Sequence, residues 1–155
     1  MAARYSFDTS SFLNGRRDLL PPEVFVTLWN KIEQMIGDGD IRAVDVVRDE
    51  LGRRDDEVNA WARLREGLFV ELDVGIQAAT KEILALHPKL MGRGGGRNAA
   101  DPFVIGFGRL VGATVVTEEK PSGRLDKPRI PDVCDALGVP WVNLVGFVRT
   151  QAWRF

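Results

Sequence analysis

Short apolar runs bounded by turn residues alternate with stretches of helical period along the chain, and this alternation constrains the fold more than any other feature. Strands that are apolar on both sides need cover on both faces, and strands joined through helices run parallel. The pattern therefore predicts an α/β fold of three layers, α/β/α, around a central parallel sheet of about five strands. Strands are expected at residues 4–8, 41–44, 68–72, 114–117 and 140–143. After Pro21-Pro22, residues Phe25, Leu28, Trp29, Ile32, Met35 and Ile36 recur at spacings of three and four, the apolar face of a long helix. Further helices are expected over 45–53, around Val58, Trp61 and Leu64, and over 73–86. Asp101-Pro102 opens another, with Phe103, Phe107, Leu110 and Val111 facing inward. Residues 130–137 form a short helix, and a last one carries Leu144, Phe147 and Val148. Residues 91–98 and 118–129 read as loops, the first of them glycine-rich and flexible. No repeat or linker divides the sequence, so residues 1–155 read as a single domain, long enough to bury a sizeable core.

The residue inventory removes several chemistries. With one cysteine, Cys134, there is no internal disulfide, and with one histidine, His87, a zinc site of Cys and His ligands or a Ser-His-Asp triad has almost nothing to build on. Cys134 sits among apolar residues as a small buried hydrophobe, and His87 stands at a helix end before Pro88. A formal net charge of −1 argues against a general nucleic-acid coat protein but not against an enzyme whose acids are neutralised locally. No stretch has the length and apolarity of a membrane span or a leader, so a cytoplasmic protein without a membrane partner is expected. Trp29, Trp61, Trp141 and Trp153 are expected in the core, with an interface role for one of them as the other reading.

What remains is a set of acids. Asp8 leaves the first strand, Glu119 (or its neighbour Glu118) leaves the fourth, and Glu50 and Asp101 lie on helices between them. Ligands in open parallel sheets bind beyond the carboxyl ends of the strands. Each acid also has an ordinary role: Asp8 and Asp101 as helix caps, Glu118 and Glu119 as loop residues, Glu50 at a helix boundary. On a helix turning about 100° per residue, however, Glu50 falls beside Val46, Val47 and Leu51 while Asp49 points away. A buried acid costs several kcal/mol unless it is paired or on a metal. Asp132, in the first turn of its helix, is a fifth candidate. Carboxylates that converge repel one another without a divalent cation, and an all-oxygen ligand set favours Mg2+ or Mn2+. Such a site suits metal-assisted cleavage of a phosphodiester.

The segments Tyr5-Ser6-Phe7-Asp8-Thr9-Ser10, Glu50, Asp101-Pro102-Phe103-Val104-Ile105-Gly106, Val115-Val116-Thr117-Glu118-Glu119 and Ile130-Pro131-Asp132-Val133-Cys134 together resemble the PIN-domain nucleases. More narrowly they resemble a bacterial PIN-like branch described as a domain of unknown function. The resemblance covers nearly the whole chain. It implies that Asp8, Glu50, Asp101 and Glu119 hold one or two magnesium or manganese ions, with Asp132 sharing that work. Glutamate stands at the fourth position, where the family usually has aspartate. The implied activity is metal-dependent endoribonuclease cleavage leaving 3′-hydroxyl and 5′-phosphate ends, with an RNA substrate. Ser10 and Thr117 would support the site, and Arg93, Arg97 and Lys120, with Arg124, Lys127 and Arg129 nearby, would hold phosphates. Many bacterial relatives are toxins of toxin–antitoxin pairs, so a cognate antitoxin is the implied protein partner, and whether the unit is a homodimer is left open by the sequence. A phosphatase using Asp8 as nucleophile would want a second aspartate where Ser10 stands, and a phospho-receiver would want an acidic pair where Asp8 stands alone. The alternative that survives is a catalytically weak PIN-like module binding nucleic acid or protein.

Overall fold

A computed structural model describes residues 2–91 and 99–155. Strands form at Tyr5–Phe7 (β1), Ile41–Val44 (β2), Phe69–Val70 (β3), Thr114–Val116 (β4) and Trp141–Val142 (β5). They make one all-parallel sheet in the order β3-β2-β1-β4-β5. Tyr5 stands opposite both Ile41 and Thr114, and Phe7 opposite Val116. The central strand is buried at all three residues. The edge strands are shorter than their apolar runs: β3 keeps only two residues of 68–72, since it pairs on one side alone.

The helices are Thr9–Asn14 (α1), Val26–Gly37 (α2), Asp45–Arg54 (α3), Asp56–Arg63 (α4), Val74–Leu86 (α5), Asp101–Val111 (α6), Ile130–Leu137 (α7) and Leu144–Gln151 (α8). They cover the sheet in the α/β/α arrangement that the alternation predicts. A π-helical turn, Gly15–Leu19, continues α1, and a 3-10 turn spans Pro88–Met91. The second helix starts later than the proline pair suggests. Phe25 is its N-cap rather than part of its buried face, and Val24 and Val26 are exposed. Leu64 lies past the end of α4 and is exposed, and Leu110 faces outward from α6. The buried stripe of α6 runs instead through Val104, Ile105, Phe107 and Gly108.

Phe7, Phe12 and Phe147 fill the centre, Phe147 meeting both Tyr5 and Phe7 edge-on with centroids 4.8 and 5.2 Å apart. Cys134 is fully buried and His87 is the residue that ends α5, both as expected. Trp29 is in the core, and the Arg16 guanidinium lies 4.8 Å from its ring centre and 4.1 Å from that of Trp61. Helix α6 lies along β1, β2 and β4 and packs closely on α5. A Cβ at Gly106 would fall 2.5 Å from Thr80 Oγ1 and 3.2 Å from Thr80 N, so only glycine admits that approach. Among the described residues no helix is long and apolar enough to cross a membrane.

From β1 the chain proceeds to β2 and β3 on one side, while β4 leads to β5 on the other. The crevice between the ends of β1 and β4 is thus the switch point of the sheet, where open α/β folds place ligands. Asp8 and the Thr117-Glu118-Glu119 run follow those two strands directly.

Candidate metal centre

Asp8 occupies the N-cap position of α1 in extended geometry, yet its side chain makes no capping hydrogen bond. Its Oδ2 instead accepts from Ser10 Oγ at 2.7 Å and Thr117 Oγ1 at 2.9 Å. Both hydroxyls also accept backbone N–H groups, Ser10 Oγ from Glu118 at 2.9 Å and Thr117 Oγ1 from Glu119 at 3.1 Å. The exit of β4 is thereby fastened to the exit of β1 through one carboxylate. Thr117 is fully buried, so its hydroxyl orients Asp8 and has no face toward a substrate.

Asp101 is the first residue of α6, with Ala100 as N-cap and Pro102 following. That helix start carries no side-chain cap, so the expected pairing of a capping Asp with proline is not what holds it. Oxygens of Asp8, Asp101 and Glu119 all lie within 4.8 Å of one another. Of the adjacent pair after β4, Glu119 is the one that joins the cluster. Glu118 turns away and accepts the Leu144 N–H at 2.6 Å, at the start of α8. Glu119 Oε1 accepts the Ile130 N–H at 3.2 Å, which fixes it against the start of α7.

These acids hold protons far more tightly than free carboxyls. Asp101 is pushed up to about 11 by burial first, then by the negative charges of Asp8 and Glu119. Burial also raises Asp8 against its two hydroxyl donors, and raises Glu119 together with the charge of Asp8. Burial and mutual repulsion thus favour the protonated form of these acids, most of all at Asp101. A group of hard oxygen donors this close and this poorly solvated fits a magnesium-like ion.

Glu50 lies beside the cluster rather than in it. Its Oε2 accepts from Thr9 Oγ1 at 2.6 Å and its Oε1 from Ala100 N at 3.0 Å. Burial raises its pKa against those two donors. Asp8, Ser10, Glu50, Asp101 and Glu119 line one cavity of about 420 Å3, together with Thr9, Asn14, Arg54, Glu118 and Arg129. The composition of that wall is overwhelmingly polar, suited to a charged ligand rather than an apolar one.

The remaining expected site residues lie elsewhere. Asp132 accepts N–H groups from Ser122, Gly123 and Arg129 at 2.8–3.0 Å, and the Ser122 hydroxyl at 2.9 Å. Burial opposes its charge, but those backbone donors outweigh it and hold the carboxyl below the usual range. It organises the loop before α7 and is absent from the converging acids. Lys120 is exposed and does not line the cavity, and Arg124 pairs with Asp126. Arg93 and Arg97 lie outside the described residues. Sequence reasoning missed Thr9, Asn14 and Arg54. A signal for the last two exists: Asn14 follows Ser10, and Arg54 follows Glu50, by one helical turn on the same face.

A family model described as Domain of unknown function (DUF4411) matches residues 5–155. No curated protein is found to match the chain.

Proposed function

The chain belongs to the DUF4411 family, whose description names no activity, and from its site we propose a metal-dependent endoribonuclease of the PIN-nuclease kind, hydrolysing RNA phosphodiester bonds. The observation that carries this reading is the convergence of Asp8, Asp101 and Glu119 within 4.8 Å at the switch point of a parallel sheet. Two buried carboxylates and a half-buried third so placed cannot all be ionised without a positive charge among them. Asp8, Asp101 and Glu119 would hold Mg2+ or Mn2+. Bound there, the ion supplies an activated water near neutral pH and offsets charge on the phosphate.

The chain's own groups do the rest. Ser10 and Thr117 fix the direction of the Asp8 carboxylate. A cation held there would compete with a proton on Asp101, which would couple occupation to proton release. Arg54, Arg129 and Asn14 stand on the cavity wall, where cationic and amide groups would receive phosphate and sugar oxygens. The resemblance extends the proposal to the toxin of a toxin–antitoxin pair, with a partner segment covering this cleft.

The test is cleavage of a mixed RNA pool with Mn2+ or Mg2+ by wild type, Asp8→Asn and Asp101→Asn. Metal-requiring cleavage that disappears in both variants is the expected result. Folded wild type that binds Mn2+ yet cleaves nothing would replace the enzyme with a binding module.

A further inference from the structure

Glu50 makes no hydrogen bond to Asp8 or Asp101; it grips the residue next to each. Thr9, which donates to Oε2 at 2.6 Å, directly follows Asp8, and Ala100, which donates to Oε1 at 3.0 Å, directly precedes Asp101. One carboxylate on α3 therefore ties the start of α1 to the start of α6, one oxygen to each. All three partners are buried: Glu50 is 4% exposed, Thr9 2% and Ala100 0%.

We infer that Glu50 is a positioning residue for the metal centre, setting the separation of Asp8 and Asp101 through Thr9 and Ala100, and not itself a ligand. The inference rests on the reading of Asp8, Asp101 and Glu119 as cation-holding residues. Both Glu50 oxygens are already engaged, and neither belongs to the converging set. Helix α6 has no side-chain cap of its own, and the carboxylate of Glu50 holds its N-cap residue, Ala100, from outside. Magnesium-sized ions demand near-ideal geometry, and a shift of about 0.5 Å in one ligand is enough to spoil a site. Removing the strap leaves the Ala100 N–H and the Thr9 hydroxyl without their protein partner, beside the cavity that Thr9 and Glu50 line.

Chemistry separates the two roles. A glutamine at position 50 keeps both contacts, its Oε1 accepting from Ala100 N and its amide donating to Thr9 Oγ1, while losing the charge a ligand needs. The experiment titrates Mn2+ calorimetrically into wild type, Glu50→Gln, Glu50→Ala, Thr9→Val and Asp8→Asn. It also follows hydrogen exchange at the Ala100 amide in the metal-free proteins. Glu50→Gln should stay within about threefold of wild type, Glu50→Ala and Thr9→Val should weaken binding by about tenfold or more, and Asp8→Asn should abolish it. Ala100 exchange should speed up in Glu50→Ala and stay slow in Glu50→Gln. The inference is overturned if Glu50→Gln binds as poorly as Asp8→Asn, or if Glu50→Ala binds as wild type does. Wild type that binds no Mn2+ overturns the metal reading itself and this role with it. If Glu50→Ala does not fold, Glu50→Gln and Thr9→Val still decide between the roles.

Discussion

Ser10 and Thr117 stand 107 residues apart in the chain, yet their hydroxyl oxygens lie 3.3 Å from each other over the same oxygen of Asp8. Each hydroxyl has one proton and gives it to Asp8, so the two are neighbours through the carboxylate and not partners of one another. The arrangement aims a charged group that is otherwise out of water.

Thr117→Val keeps the shape and removes one of those bonds. Mn2+ affinity and RNA cleavage should each fall by about 10–100-fold, the usual effect of losing a group that orients a ligand. The valine also leaves the Glu119 N–H without its acceptor, so unfolding should cost about 1–3 kcal/mol less. Calorimetric titration and urea unfolding measure the two effects.

The pH dependence has a definite sign. Asp8, Glu50, Asp101 and Glu119 all have raised folded-state pKa values, against ordinary values of 3.8 and 4.5. The folded protein therefore binds more protons than the unfolded chain above that range. Its metal-free stability contribution from these groups is full below the ordinary values and declines as pH rises, the Asp101 part lasting until about 11. Saturating Mn2+ should oppose this decline, because cation replaces proton. Thermal melts at pH 5, 7 and 9, with and without metal, should show a gap that widens as pH rises; a metal-free stability that climbs with pH would refute the account.

Asp101→Asn should accordingly stabilise the metal-free protein at pH 8, by about 1–2 kcal/mol, while abolishing any gain from Mn2+. In a domain of this length that is a rise in Tm of about 2–4 °C per kcal/mol. A fall in Tm would mean that the aspartate is supporting the helix start instead.

Arg54→Gln and Arg129→Gln alter the cavity wall without removing an acid, and the Arg129 charge also bears on Glu119. Each should raise KM for RNA several-fold and flatten its salt dependence, with Mn2+ affinity unchanged in Arg54→Gln. Loss of metal binding in either would place that arginine in the support of the centre.

Gly106→Ala pushes a methyl group against the backbone of Thr80, whose hydroxyl is itself held by the Ile76 carbonyl at 2.7 Å. The helices must separate, at about 1–3 kcal/mol, which denaturant unfolding would detect.

The layers of the fold were legible because apolar runs and helical periods are local signals, and Ile41–Val44 and Ile130–Leu137 fall where those signals place them. Acids following strands were legible for the same reason. The partners of those acids were not. Nothing in the local sequence says that Thr9 will reach Glu50, or that Ala100, which has no polar side chain, will supply a backbone N–H to it. Asp132 shows the converse. Its sequence setting suits a ligand as well as a loop staple, and only the three backbone amides around it decide the matter. The choice between Glu118 and Glu119 depended likewise on which one found the start of α8.

The strand order has a further consequence, for how the molecule is made. Asp8 is synthesised more than a hundred residues before its neighbours Thr117 and Glu119, and β4 in turn lies between β1 and β5. Contacts of such long range form late, after the cost of closing the intervening loop has been met. A nascent chain that has not yet laid down β4 holds its first acid with nothing to complete it. Whatever chemistry the finished cleft performs, it waits on β4 and on the acid that follows that strand.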